Sequence, residues 1–179
     1  MTFVITAAVL VSLAGMLITG EACDNVPTMT SSDACLTLSN TTERWHALCR
    51  ETLLNAPATA EVTVYALVAT RLAILRYRDT VGEIDQMLGG TREKKLPAAE
   101  GAALEHCREK YGEARSLMAG VADQLFTCDM SRVRQEYIDA QVAVGSCHTR
   151  MGSLVTDMVS ADFDLTMVAY LLGAIIVGR

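Results

Sequence analysis

The sequence predicts an all-α protein, an up-down-up-down four-helix bundle preceded by an N-terminal helical hairpin and held by disulfides. The first observation behind this prediction is that long segments carry apolar residues at steps of three and four, the period of an amphipathic helix. The second is that six cysteines lie where antiparallel helices would bring them face to face. The third is that no segment shows the strict apolar–polar alternation that is typical of a half-buried strand.

The N-terminal residues are typical of a secretory signal peptide. Residues 3–18 form an almost unbroken apolar run, and Gly20 and Ala22 offer small residues at the −3 and −1 positions of a cleavage site. An N-terminal membrane anchor is the alternative, but the run is short of the roughly 20 apolar residues that span a bilayer. We therefore interpret residues 1–22 as a signal peptide that is removed before Cys23. The exported chain meets an oxidising compartment, where an even number of cysteines is typical of disulfides.

The remaining residues, 23–179, suit one domain with a single core. We divide this domain into an N-terminal hairpin, residues 23–56, and a bundle, residues 57–179. Prolines are few and none interrupts a long periodic segment, so each helix is expected to run unbroken between its turns.

The hairpin is predicted from two short helices around a polar turn. The first helix begins within residues 28–32 and the second covers residues 43–54, where Pro57 ends it because the residue before proline avoids helical geometry. Cys35 and Cys49 lie about equally far from the turn at residues 39–42, which predicts a bridge between them. The turn also holds the sequon Asn40-Thr-Thr, so Asn40 is a candidate glycosylation site.

The bundle is predicted from four longer helical segments. The first covers residues 58–88 and ends at two glycines, and the last covers residues 160–177. Between them, two segments have the cleanest periodicity and form the seam of packed antiparallel helices. The seam positions are Ala103, Cys107, Tyr111, Ala114, Met118, Val121 and Leu125 in one segment, and Val133, Tyr137, Ala140, Val144, Cys147 and Met151 in the other.

The remaining cysteine pairings follow from positions around the turns. Cys107 and Cys147 lie inside their seams, about equally far from the break near Cys128, so we predict a bridge between them. Chain connectivity brings Cys23 and Cys128 to the same end of the molecule, which favours a third bridge. The alternative is that Cys23 and Cys128 are free thiols or pair with another chain.

Composition excludes several kinds of partner. The formal net charge is −6, there is no basic run, and aromatic residues make up only 5% of the chain. Nucleic acid, anionic lipid and acidic polysaccharide are therefore poor partners, whereas a basic protein is a suitable one. The apolar stretch at residues 168–177 is about half the length of a membrane span, so we interpret it as a buried helix and expect no membrane association after signal cleavage.

No constellation of residues indicates catalysis. The chain lacks the nucleophile-elbow, zinc-protease, phosphate-loop and dinucleotide motifs. The three histidines, His46, His106 and His148, are too few for structural zinc once the cysteines form disulfides. We therefore expect no catalytic residue, no metal and no cofactor, and a protein that binds a partner.

The residues around four of the cysteines form a pattern. Cys107 opens a Cys-x-Glu-x-Tyr-x-acid-Ala run that ends at Ala114, and Gly145-Ser-Cys closes a helix rich in small residues. Upstream, the segments Cys35-Leu-Thr-Leu and Ala47-Leu-Cys-Arg-Glu-Thr-Leu-Leu stand in the matching order. Over roughly residues 34–176 the chain resembles the plant invertase and pectin methylesterase inhibitor family. The resemblance implies an exported helical protein whose hairpin and bundle are each closed by one disulfide.

The resemblance also implies a function and a target. Invertase inhibitors commonly carry a Pro-Lys-Phe motif at the turn that here reads Leu-Phe-Thr-Cys-Asp, residues 125–129, which favours the pectin methylesterase branch. The chain is then expected to bind a cell-wall pectin methylesterase in a roughly one-to-one complex and to occlude its substrate cleft. Inhibition of an acid invertase is the alternative. The protein would lie in the apoplast, or in the vacuole if invertase were the target.

The family's acidic and hydroxyl contacts carry over to four positions when the chain is aligned on the third and fourth family cysteines. They are Glu109, Glu113, Asp129 and Ser146. Two remoter functions stay open, a secreted carrier of hydrophobic ligands and a signalling bundle. The insect carriers with six cysteines need a Cys-x3-Cys pair that this chain lacks, and signalling bundles do not usually have a separate disulfide-closed hairpin.

Overall fold

The computed structural model describes residues 23–39, 42–89, 97–148 and 156–178. The predicted signal peptide, the sequon asparagine Asn40 and the seam residue Met151 lie outside the described residues. The described part of the chain contains two short strands and six helices. In chain order they are β1 (Thr28–Thr30), α1 (Ser31–Ser39), α2 (Glu43–Thr52), β2 (Thr59–Glu61), α3 (Val62–Leu88), α4 (Ala98–Thr127), α5 (Val133–His148) and α6 (Thr156–Val177).

The N-terminal hairpin consists of α1 and α2, and each begins at a threonine that caps it. The Thr30 hydroxyl accepts a hydrogen bond from the Asp33 amide at 3.0 Å, and the Thr42 hydroxyl accepts one from the Trp45 amide at 3.3 Å. Such caps satisfy amides that have no partner in the first helical turn. The second helix ends at Thr52, two residues earlier than predicted, and Leu53 caps it with its backbone N–H.

The two strands are a feature that the sequence did not predict. They pair in antiparallel register, with Thr28 opposite Glu61 and Thr30 opposite Thr59. Each strand has only three residues, which is too short for an alternating pattern to be visible. Because β2 occupies the start of the segment predicted as helix, α3 begins at Val62 and not at residue 58.

The bundle has the predicted up-down-up-down topology. Helices that are consecutive in sequence, α3 to α6, pack as neighbours, and α3 also packs on α6, so the four close into a ring. The hairpin lies against α6 and, less extensively, against α3. The predicted seams of α4 and α5 face the core: the described seam residues are buried except for Ala103, which is half-buried. The all-α class of the fold is therefore confirmed.

Three disulfides join the elements. Cys35–Cys49 links α1 to α2, Cys107–Cys147 links α4 to α5, and the Cα atoms of these pairs lie 5.6 and 4.9 Å apart. The third, Cys23–Cys128, joins the start of the described chain to the end of α4 across 105 residues of sequence. No described cysteine is free.

Tyrosines and their partners fill the centre of the bundle. Tyr77 and Tyr111 are fully buried and meet edge to face, with ring centroids 5.5 Å apart. The Tyr111 hydroxyl donates to the carboxylate of Asp162 on α6 at 2.9 Å, and Thr80 on α3 donates to the same carboxylate at 2.6 Å. This network ties α3, α4 and α6 together, since a buried carboxylate is tolerated only where hydrogen bonds satisfy it.

A carboxylate on α6 also fastens the hairpin to the bundle. Asp164 accepts a hydrogen bond from the Trp45 indole at 3.1 Å and pairs with the Arg44 guanidinium. The Asp164 side chain is nearly buried, whereas Arg44 is mostly exposed. The indole is therefore the partner that lies closer to the core.

Helix α6 is the most apolar element of the fold. By length and composition it could cross a membrane, with a mean hydropathy of 1.6 over its best window, but half of that window is buried inside the protein. Its apolar side chains pack on α3, α5 and the hairpin. A mostly buried core helix meets the same criterion of length and composition.

Candidate functional site: an acidic surface on the bundle

The outward surface of α4 carries the acidic residues that the sequence singled out. Helical periodicity turns Cys107, Tyr111 and Ala114 toward the core, which leaves Glu109 on the side facing solvent. Glu105, one turn earlier, lies on the same exposed stripe. The surface is therefore the outer face of a helix whose inner face is fixed by a disulfide and a buried tyrosine.

Glu113 differs from Glu109 in having a cationic partner. The Lys110 ammonium lies 2.6 Å from the Glu113 carboxylate, and this hydrogen bond raises the pKa of Lys110 above its usual value. Neither Glu105 nor Glu109 forms an ion pair within the part of the chain that the structure describes. Glu105 and Glu109 thus present charges without an ion-pair partner there, although Lys110 also attracts Glu109 weakly, while the charge of Glu113 is offset more strongly by its hydrogen bond to Lys110.

A shallow depression follows this stripe. It has a volume of about 620 Å³, is wide open to solvent, and includes Glu105, His106, Arg108 and Glu109 in its lining. The His106 Nε2 atom is buried there and has no hydrogen-bond partner among the described residues. Because the depression is open and shallow, it suits contact with another macromolecule better than enclosure of a small ligand.

Asp129 lies in the turn between α4 and α5. Cys128 ends α4 in the left-handed conformation, with φ of 59°, and thereby turns the chain away from the helix axis. The Asp129 carboxylate accepts a hydrogen bond from the Ser131 amide at 3.1 Å. Hydrogen bonds from the Ser131 side chain and backbone lower the pKa of Asp129, and the Arg132 charge lowers it further. The exposed turn therefore presents an ionised carboxylate.

Ser146 lies on α5 beside the Cys107–Cys147 bridge. Its hydroxyl donates to the Ala143 carbonyl oxygen at 2.7 Å, and its side chain is half-buried. A partner approaching this site would meet the edge of the serine rather than a projecting hydroxyl.

The four predicted contact residues do not form one cluster. Glu109, Glu113 and Ser146 lie within about two turns of the Cys107–Cys147 bridge. Asp129 lies beyond the other end of α4, whose last residue, Thr127, is about 21 Å along the helix from Glu113 at 1.5 Å of rise per residue. Any partner that touches all four must therefore extend along most of the α4–α5 hairpin.

Two further exposed residues were missed by the sequence reasoning. Glu105 precedes Glu109 by four residues, so the spacing alone could have placed it on the acidic stripe. Phe126 is 62% exposed at the end of α4, near Asp129. Its position just after the seam residue Leu125 signals exposure, but only the structure shows that none of the described elements covers it.

The described residues offer no alternative in the form of a catalytic or metal centre. No group of three or more His, Cys, Asp or Glu side chains among them could hold a metal ion. Burial raises the pKa of Tyr77, Tyr111 and Tyr137 far above the usual value of a tyrosine, and it also raises the pKa of Asp162. These groups are sealed in the core, so their shifts reflect packing rather than an accessible site.

The fold and this surface define a class: a disulfide-closed helical hairpin on a four-helix bundle with an acidic outer face. Residues 22–169 match the family described as plant invertase/pectin methylesterase inhibitor, and the chain belongs to that family. No curated protein sequence matches the chain.

Two solved structures share the fold. One is a mutant form of a pectin methylesterase inhibitor from Arabidopsis, with 16% sequence identity and a TM-score of 0.67, covering 79% of this chain and 96% of that one. The other is a pectin methylesterase inhibitor from Arabidopsis thaliana, with 15% identity and a TM-score of 0.60, covering 83% of this chain and 98% of that one. At these identities the likeness establishes the fold alone.

Proposed function

We propose that this protein is a secreted, non-catalytic inhibitor that binds a pectin methylesterase and occludes its substrate cleft. The observation that carries the proposal is membership of a family of inhibitors, and two solved structures with the same fold are pectin methylesterase inhibitors. The exposed acidic surface of α4 supports it, because it suits a basic enzyme. Inhibition of an acid invertase is the second candidate, since the same family description includes invertase.

The proposed mechanism is steric, with electrostatics guiding the encounter. The bundle is pinned by the buried Cys107–Cys147 disulfide and a buried tyrosine–aspartate network, so it offers a rigid surface that needs little ordering on binding. Carboxylates at Glu109 and Asp129 attract a basic rim, which raises the association rate more than the final affinity. Ser146 contributes by close packing beside the bridge.

Direct assays on both enzyme types decide the target. The refolded, disulfide-bonded protein is titrated into a basic plant pectin methylesterase, followed by methanol release, and into an acid invertase, followed by glucose release. We expect stoichiometric inhibition of the first and none of the second. Inhibition of the invertase alone would overturn the proposed target, and inhibition of neither would overturn the inhibitor function.

Charge-neutralising variants test the surface. Replacing Glu109, Glu113 and Asp129 together by the corresponding amides should weaken inhibition by roughly tenfold, mainly through slower association. Among single variants, Glu109→Gln should weaken inhibition more than Glu113→Gln, because Lys110 already offsets the charge of Glu113. Glu83→Gln, at an exposed position on α3, is the matched control and should leave inhibition unchanged.

Circular dichroism separates loss of binding from loss of fold. The helical signal should persist in all of these variants, since exposed helix charges contribute little to stability. Unchanged inhibition by the triple variant would remove these carboxylates from the interface.

A further inference from the structure

The first described residue is held by a carboxylate from another element. The backbone nitrogen of Cys23 lies 3.0 Å from Oε2 of Glu61, the residue that precedes α3. The other oxygen of Glu61 accepts a hydrogen bond from the Thr63 hydroxyl. Glu61 is half-buried. The partners of its carboxylate are therefore two neutral hydrogen-bond donors, the Cys23 amide and the Thr63 hydroxyl.

This carboxylate has no cationic partner within the described chain. The side-chain ion pairs there involve other acids, on α3, α4, α5 and α6. A partly desolvated carboxylate is disfavoured unless a charge of opposite sign or several hydrogen bonds compensate it. A positive group placed at the nitrogen of Cys23 would supply that compensation.

The position of Cys23 is fixed by residues that follow it. Its sulfur is bonded to Cys128, and the two Cα atoms lie 5.4 Å apart. Its carbonyl oxygen accepts a hydrogen bond from the Val26 amide at 3.3 Å, and the carbonyl of Pro27 accepts one from the Val62 amide at 3.1 Å. None of these ties involves Ala22, so breaking the bond between residues 22 and 23 leaves the nitrogen in place.

We propose that Glu61 is the binding site for the α-ammonium group that forms when the chain is cut between Ala22 and Cys23. An endoprotease of the signal-peptidase type adds water across this peptide bond. The carboxylate is left on Ala22, and the released amine on Cys23 takes up a proton. The neutral amide donor 3.0 Å from Glu61 thereby becomes a cation, and the contact becomes a charge-assisted hydrogen bond.

The pairing makes processing a step in completing the fold. In the cut chain, Cys23 is held to the end of α4 by its disulfide with Cys128 and to the start of α3 by its ion pair with Glu61. Any residue left in front of Cys23 returns the nitrogen to a neutral amide and moves the positive charge away. The proposal extends the prediction of a signal peptide to a structural role for the new terminus, and it holds whatever enzyme the protein binds.

A double-mutant cycle tests the pair. The four proteins begin either at Cys23 or with Gly-Ser before Cys23, and carry either Glu61 or Glu61→Gln. Unfolding by urea at pH 6 and low salt is followed by circular dichroism. In the Glu61 background, the extension should raise the unfolding equilibrium constant about fivefold, as for a partly buried charged hydrogen bond, and in the Glu61→Gln background it should have almost no effect.

Two controls give results that a merely structural role of Glu61 would not produce. Glu83→Gln, an exposed substitution far along α3, the helix that Glu61 precedes, should leave the fivefold effect of the extension intact. Reductive methylation of the Cys23 α-amino group should be faster in Glu61→Gln than in the Glu61 protein, because the ion pair withdraws the amine from reaction.

Three results would overturn the proposal. One is an equal effect of the extension in both backgrounds. Another is equal methylation rates. The third is N-terminal sequencing of the protein secreted from a plant host that begins at a residue other than Cys23.

Discussion

At the scale of single residues, stability depends on buried polar groups that are satisfied by one another. Asp162 has no exposed side-chain surface, and its carboxylate receives donors from α3 and α4. The Thr70 and Tyr137 hydroxyls form a second buried pair at 2.6 Å. Such pairs specify a single packing of the helices, because any other register leaves polar atoms without partners.

The pH dependence of stability tests the Asp162 network. Burial raises the pKa of Asp162 above 3.8, although Thr80, Tyr111 and Arg76 oppose the shift. The folded state therefore binds a proton more readily than the unfolded state, so this contribution is full below pH 3.8 and is lost as pH rises through the raised pKa. Relative to Asp162→Asn, the unmodified protein should gain free energy of unfolding as pH falls across that window.

Urea unfolding between pH 3.5 and 7 measures this difference. Asp157→Asn, an exposed position on the same helix, is the control and should give a curve parallel to that of the unmodified protein. A parallel curve for Asp162→Asn as well would show that the carboxylate is not the group that titrates.

A single glycine sets the spacing between α5 and α6. A Cβ atom at Gly173 would lie 2.5 Å from Cε2 of the Tyr137 ring, which is fully buried and cannot move aside freely. Gly173→Ala should therefore destabilise the fold by about 1–3 kcal/mol, as extra methylene groups in a well-packed core do.

Gly82→Ala is the matched control, since nothing lies within 4 Å of its added Cβ. It should be neutral or stabilising by up to about 1 kcal/mol. Thermal unfolding of both variants compares them, and equal melting temperatures would contradict the close approach.

At the scale of elements, short polar contacts decide how the hairpin lies on the bundle. The bridge between α1 and α2 closes the hairpin but does not attach it to α6. That attachment includes apolar packing and the contacts of Asp164 with Trp45 and Arg44. The hairpin and the bundle therefore share one apolar core, and the contacts of Asp164 add polar fastening at its edge.

Trp45 reports on this junction because it is the only tryptophan of the chain. Asp164→Ala removes the acceptor of its indole N–H and should shift the fluorescence maximum to longer wavelength as water reaches the ring. The loss of a buried acceptor should lower the free energy of unfolding by about 1–3 kcal/mol. Arg44→Ala should have a smaller effect on both measurements, because the Arg44 side chain is 66% exposed. An unchanged spectrum in Asp164→Ala would show that the hairpin stays docked without this contact.

At the scale of the whole molecule, the distribution of charge sets the kind of partner. The formal net charge is −6, and the exposed face of α4 carries Glu105 and Glu109, which form no ion pair among the described residues. The carboxylate of Asp162, by contrast, is enclosed in the core and cannot contact a partner protein. Long-range attraction is therefore expected to favour a basic enzyme.

Salt dependence follows from this distribution. The association rate with a basic pectin methylesterase should fall as ionic strength rises from 10 to 150 mM, because the screening length shortens from about 30 to about 8 Å. The dissociation rate should change far less, since it reflects packed contacts. Surface plasmon resonance measures both rates. An association rate that does not depend on salt would exclude electrostatic steering by this surface.

The sequence alone was sufficient for the helices and their topology. Steps of three and four residues along α4 and α5 placed the apolar seams, and positions around the turns brought Cys107 to Cys147. It was not sufficient for helix starts. The structure begins α6 at Thr156 and not at residue 160, because the polar pair Thr156 and Asp157 hides the start of the apolar period, although Val159 is already buried.

The candidate site was only partly predictable. Glu109 and Glu113 follow from their spacing after Cys107, but the pairing of Glu113 with Lys110 depends on side-chain geometry at the helix surface. The exposure of Phe126 depends on what the other elements leave uncovered. A linear pattern records which face of a helix is apolar and not which neighbours reach its polar face.

The sequence by itself determined the fold class, the order of the helices and the cysteine pairs that close each hairpin. It could do so because these features depend on local periodicity and on distance from a turn. Only the tertiary structure decided that β1 pairs with β2, that Asp162 accepts hydrogen bonds from hydroxyl groups on two helices, and that Glu61 lies against the nitrogen of Cys23. These contacts join residues between 29 and 82 positions apart in sequence, and no local pattern specifies them.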